Sequence, residues 1–167
     1  MNMALLLVFP AIMAWAAASD LLTMRIANHL VLALLAAFAV MVPATGMPLE
    51  ELYSHALAGG IVLVVAFSFF AFGWIGGGDA KLAAVTALWL GWTLLLPYAV
   101  YSALLGGALT LFILAVRRWP LPAALVGVGW VDRLHNANTG VPYGIALAAA
   151  GMLVYADSFV FAAFALG

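Results

Sequence analysis

The sequence predicts an all-α fold, a polytopic transmembrane helix bundle of about six spans, and two observations carry that expectation. The first is polarity: 69% of the residues are hydrophobic, 7% are charged and the mean hydropathy is +1.25. That leaves too little polar surface to cover a water-soluble globule. The second is length, since the apolar runs recur at about the 20 residues a helix needs to cross a hydrocarbon core. No internal repeat or soluble domain interrupts them, so residues 1–167 read as a single membrane-embedded domain.

The spans run Met3–Ser19, His29–Thr45, His55–Gly73, Lys81–Leu96, Tyr98–Val116 and Val141–Phe164. The first resembles a secretory signal at Ala14 to Ser19, which reads AWAAAS. However, Met1 to Met3 carry no Lys or Arg, and the first basic residue, Arg25, follows the apolar run, the reverse of a signal peptide. The fourth and fifth spans are divided by Pro97 alone, within an apolar stretch from Leu82 to Val116. About 35 residues in one helix would overrun the bilayer, so a turn is required there. The longest non-spanning stretch, Arg117 to Gly140, holds Trp119, Pro120, Pro122 and Trp130 among apolar residues. It reads as a segment lying in the membrane interface, with a plain covering loop as the simpler alternative.

Orientation follows from the basic residues, which collect on the cytoplasmic side. Arg25, Lys81, Arg117, Arg118 and Arg133 all fall on one side of a six-span chain, while Glu50, Glu51 and Asp157 fall on or near the other. One span more or fewer in the middle would break this agreement. Both termini are therefore expected outside.

Several chemistries are excluded by composition. A net charge of −1 provides no basic stripe for phosphate backbones, so nucleic acid is not a partner. With Cys 0 there is no disulfide, thiolate zinc site or cysteine nucleophile. His29, His55 and His135 are far apart in sequence and none sits in an HExxH-like spacing, so no metal and no cofactor is expected.

The candidate chemistry lies in two acids. Asp20 ends the first span and Asp79 follows the third; both spans run inward, so the two carboxyl groups reach the same depth. An ionisable group at the lipid boundary is costly unless it pairs or faces water, which makes each a functional candidate. Two carboxyl groups sharing one site do not both ionise easily. One can then take a proton from water while the other donates to a peptide carbonyl oxygen, with no metal and no covalent intermediate. Gly76, Gly77 and Gly78 precede Asp79, and three residues without Cβ atoms suit a backbone platform on which an extended substrate approaches the carboxylate. The simpler alternatives are caps: Asp79 at the start of the fourth helix and Asp20 at the start of a short interfacial one. Lys81 can act on Asp79 electrostatically, contact a substrate carboxylate or anchor its helix at the headgroups. Asn28 is a local hydrogen-bonding group. Asp132, beside Arg133, and Asp157, near an outer helix end, have neither a glycine platform nor a depth-matched partner.

Gly76-Gly77-Gly78-Asp79 is a GxGD signature, and with Asp20 in SDLLTMRIANHL the chain resembles the type IV prepilin peptidases, GxGD-type aspartyl proteases. The likeness extends to GGGDAK with its Lys81 and to Val141-Pro142-Tyr143-Gly144 opening the last span. It implies Asp20 and Asp79 as the catalytic pair and a multi-pass protein of a bacterial inner membrane. The implied substrate is a prepilin or pseudopilin with a short basic leader, a glycine before the cleaved bond and an apolar helix behind it. The short chain is similar to the Tad/Flp-pilus members. Larger members carry a cysteine-bearing insertion associated with N-methylation; this chain lacks it, so only the endopeptidase role is carried over. Small-residue faces at Gly59, Gly60, Gly106 and Gly107 are candidates for packing the substrate helix or the protein's own helices. The alternative function is a small proton-coupled transporter or channel component, which would place the acids near mid-membrane.

Overall fold

The computed structural model describes residues 3–165, and no β-strand occurs among them. In chain order the helices are α1 (Met3–Leu6), α2 (Val8–Thr23), α3 (Asn28–Thr45), α4 (Leu49–Ala71), α5 (Gly77–Leu90) and α6 (Leu95–Val116). A short 3₁₀ turn at Ala123–Leu125 follows, then α7 (Gly129–His135), α8 (Gly144–Tyr155) and α9 (Phe159–Ala165).

Length divides these helices into two kinds. Helices α3, α4 and α6, with 18, 23 and 22 residues, are long and apolar enough to cross a membrane; α8 and α9 pass together as one pair bent by 46°. The remaining two expected spans are shorter, at 16 residues in α2 and 14 in α5. A 14-residue helix rises only about 21 Å, less than the roughly 30 Å of a hydrocarbon core. Such a helix is tolerated where protein encloses it and a cavity receives its ends. That is the situation of α5, whose Leu82, Val85, Thr86, Ala87, Trp89 and Leu90 are all buried.

Local chemistry explains where the elements break. Pro10 has no N–H to donate to Leu6, and the chain interrupts between α1 and α2 at Leu7. Helix α4 begins at Leu49 rather than near His55, because Pro48 sets the entry and Glu50 and Glu51 suit the positive end of a helix. The turn between α5 and α6 is not made by Pro97. It occupies Gly91 to Leu94, with Gly91 at φ 78°, and Pro97 sits in the first turn of α6, where a missing N–H costs nothing.

At the centre, α5 packs against α4, α3 and α8, and α2 packs against α8. Phe9, Phe38, Trp89 and Tyr155 form an aromatic cluster, with Phe9 and Trp89 ring centroids 5.1 Å apart and Phe9 and Tyr155 4.7 Å apart. Trp89 Nε1 donates to the Leu34 carbonyl at 3.0 Å, tying α5 to α3. Helix α1 packs on α9, so the two described chain ends meet at one end of the bundle. Asp20, Arg25, Lys81, Arg117 and Arg133 occupy the opposite end, where α2 stops, α5 begins and α6 stops. There Arg117 gathers the 117–140 segment, donating to the carbonyls of Leu134, Thr139 and Gly140, and Arg133 donates to the Leu22 carbonyl.

Of the small-residue faces, Gly59 and Gly106 serve the protein's own packing. A Cβ on Gly59 would stand 3.0 Å from Leu88 Cβ, and one on Gly106 would stand 2.1 Å from the Tyr143 ring, whereas Gly107 faces open space. Gly106→Ala is therefore expected to cost at least about 1–3 kcal/mol through overpacking. Thermal unfolding in detergent checks this, with Gly107→Ala melting close to the unsubstituted protein.

Candidate active site

Asp20 lies in the last turn of α2, and the residues just after it fold the chain back on itself. Met24 has φ 55°, the only positive value at a non-glycine residue among those described. It is held there by three bonds. The Met24 N–H donates to the Asp20 carbonyl at 2.8 Å, Ser19 Oγ to the Arg25 carbonyl at 3.0 Å, and Thr23 Oγ1 to the Ser19 carbonyl at 2.7 Å. The reversal brings Ile26 against the glycine run, where a Cβ on Gly78 would stand 3.1 Å from Ile26 Cβ.

The Asp20 side chain is 5% exposed, and its Oδ2 accepts the backbone N–H of Gly144 at 2.8 Å. Gly144 is the first residue of α8, so this N–H has no acceptor inside its own helix. Asp20 thus caps a helix, although one 124 residues away rather than the interfacial turn expected to follow it. A Cβ on Gly144 would meet Asp20 Oδ2 and Ile26 Cδ1 at 2.7 Å each, so only glycine admits the carboxylate here.

Asp79 is the third residue of α5, and Gly76, not Asp79, takes the N-cap position. Its carboxylate turns back over Gly76, where a Cβ would lie 2.9 Å from Oδ2. The glycine run departs from expectation in its geometry. Gly76 has φ −72° and ψ 145°, Gly77 and Gly78 begin the helix, and none of the three has a positive φ. What the run supplies is room, for the Asp79 carboxylate, for the Phe70 ring beside Gly77 and for Ile26 beside Gly78.

Asp20 and Asp79 line one pocket of about 270 Å³ together with Met24, Arg25, Ile26 and Gly76 to Gly78. Neither acid has a salt-bridge partner among the described residues. Lys81 stands two residues beyond Asp79, roughly 200° around the helix. Its Nζ donates to Asn28 Oδ1 at 2.9 Å, which ties α5 to the start of α3 on the side away from the pocket. Asp132 accepts the Gly127 N–H and Asp157 is exposed; neither lines the pocket. Among the described residues no three His, Asp or Glu side chains group as metal ligands would.

Asp79 also lines a second space, an apolar groove of about 470 Å³ between α4 and α6. Tyr98 and Tyr143 border it, and the Tyr143 hydroxyl donates to the Ser102 carbonyl at 3.0 Å. Tyr143 belongs to the Val141-Pro142-Tyr143-Gly144 run noted in the sequence, whereas Tyr98 does not stand out there. The packing of α6 on α8 brings both to the groove that Asp79 lines.

A family model described as the type IV leader peptidase family matches residues 7–111. That range contains Asp20, Gly76 to Asp79 and Lys81, and ends within α6. The comparison with curated proteins and the comparison with solved structures each gave no match.

Asp20→Asn keeps an oxygen that can accept the Gly144 N–H, whereas Asp20→Ala leaves that buried donor unpaired, at a cost of about 1–3 kcal/mol. Thermal unfolding in detergent is expected to place the Asn variant near the unsubstituted protein and the Ala variant clearly below it.

Proposed function

The chain belongs to the type IV leader peptidase family, and from that premise we propose that it is an intramembrane aspartyl endopeptidase in which Asp20 and Asp79 act as one dyad. The observation that carries this reading is the shared pocket: two carboxyl groups from separate helices border one small space. The substrate is a prepilin or pseudopilin, cleaved after its short basic leader on the cytoplasmic side of a bacterial inner membrane. The clustering of Arg25, Lys81, Arg117, Arg118 and Arg133 at the dyad end supports that orientation, with both termini outside.

In this reading a water molecule sits between the two carboxyl groups, one ionised and one protonated. The ionised group takes a proton from the water as its oxygen attacks the carbonyl carbon of the scissile bond. The protonated group donates to the carbonyl oxygen. Collapse of the resulting gem-diol breaks the C–N bond, and the proton taken from water passes to the departing amine. The pair titrates as a unit, so the two roles exchange through the cycle. Glycines at 76, 77 and 78 admit the Asp79 carboxylate, the Phe70 ring and Ile26 at distances a Cβ would not allow, and so hold Asp79 at the pocket. Lys81, bonded to Asn28, anchors the start of α5.

The reading is of the endopeptidase step alone, in the manner of a Tad/Flp-type leader peptidase, without N-methyltransferase activity. A transporter reading would place an acid at mid-depth on a broken helix. Asp20 and Asp79 instead lie in a last and a first helical turn, and the bent pair α8 and α9 carries neither.

Cleavage of a co-expressed prepilin, followed by product size, tests the proposal. Asp20→Asn and Asp79→Asn are each expected to lower processing at least about a hundredfold while the protein still accumulates in the membrane. Normal cleavage by either variant refutes the dyad.

A further inference from the structure

The apolar groove that ends at Asp79 faces outward between two helices, and the mechanism above leaves it unused. Helix α4 packs on α5, and α6 packs chiefly on α8, so a furrow remains between α4 and α6 with α5 as its floor. Ile61, Val65 and Phe69 form one wall, Ala83 the floor, and Ala99 and Ser102 the other wall. Ile61, Val65 and Phe69 are spaced by one helical turn each, so the wall presents about 12 Å of apolar surface along α4. Asp79 lines both this groove and the polar pocket it shares with Asp20. A chain lying in the groove therefore reaches the carboxyl pair where the groove ends.

We propose that this groove is the docking site for the apolar helix of the substrate, entered sideways from the lipid, with the leader junction carried past Asp79 into the shared pocket. The proposal rests on the peptidase reading and adds the surface that selects the substrate. Charge selects it over the other large groove, which lies between α3 and α4 and is lined by Val31, Leu35, Gly60 and Leu63. That second groove ends at Lys81 and touches neither aspartate. A helix preceded by a basic leader meets a cation with no acid in that groove's lining, whereas at the end of the first groove the one cation, Arg25, stands beside two carboxyl groups. Small residues line both grooves, Ala56, Gly59, Gly60 and Ala84 in the second and Ala83 and Ala99 in the first, so close backbone approach, the basis of helix association in lipid, is open to a helix in the first groove but does not itself separate the two. Tyr98 and Ser102 line this groove, and their hydroxyls are buried without a completed hydrogen bond. A peptide unwound for cleavage exposes backbone groups that need such partners in a dry site.

The chain has no cysteine, so single introduced cysteines report occupancy directly. In an Asp79→Asn background, Ala99→Cys and, as the control, Leu63→Cys are each oxidised in membranes with a single-span prepilin precursor. The precursor carries one cysteine, scanned through the first three turns of its helix. Adducts with Ala99→Cys at positions three to four residues apart, and none with Leu63→Cys, are expected. Ala99→Phe, at an exposed position, should also lower kcat/KM for the precursor at least tenfold without changing the melting temperature. Adducts at Leu63→Cys overturn the proposal. So do an Ala99→Cys protein that yields only its own homodimer, and one that yields no adduct while the unsubstituted protein cleaves the same precursors; the last means lipid alone fills the groove. If the unsubstituted protein cleaves no precursor, the peptidase reading falls first and this inference with it.

Discussion

The hydrogen bond from the Gly144 N–H to Asp20 is the interaction on which the rest of the site depends. A carboxyl group buried in a membrane protein is costly unless it is paired or faces water, and an uncapped helix start carries donors with the same difficulty. Joining the two resolves both at once, and it does so across 124 residues of chain. The bond pins the end of α2 to the start of α8. Because α5 also packs on α8, the end of α2 and the helix whose start carries Asp79 are both set against one common helix.

Glycine makes these approaches feasible. Hydrophobic burial does not drive helices together in lipid, so close backbone contact and fitted side chains must do so. At Gly144 the fitted group is the Asp20 carboxyl, at Gly106 the Tyr143 ring, and at Gly76 the Asp79 carboxyl. The same small residue thus sets helix spacing in the bundle and clears space in the pocket. A 14-residue α5 completes the arrangement, since its short length draws the glycine turn and Asp79 into the protein, where a cavity receives them.

Much of this was legible in the residues, and what was not has physical reasons. Apolar runs marked where helices lie, because hydropathy is nearly the whole signal in a membrane protein. Their lengths misled: six runs of similar apolarity separate into helices long enough to cross and two, α2 and α5, that are shorter. Hydropathy does not distinguish lipid from protein as a helix's surroundings. The turn at Gly91 was obscured by Pro97, whose position inside a first turn looks the same in sequence as a break. That Asp20 and Asp79 would come to one end of the bundle, where they line one pocket, was legible from their matched positions along alternating spans. The capping of α8 by Asp20 was not, because no local pattern records a bond over that distance. The glycine run was legible as a special site, but as one of backbone freedom; the structure shows ordinary angles and close neighbours instead.

The most direct test of the account asks whether positions 20 and 79 face one another in the membrane. The chain has no cysteine, so Asp20→Cys/Asp79→Cys can be treated in membranes with a short bifunctional thiol reagent, beside Asp20→Cys/Lys81→Cys. The account predicts efficient bridging of the first pair and little of the second, because Lys81 points toward Asn28 on the far side of α5. Equal bridging of both pairs, or bridging of the second alone, would contradict it.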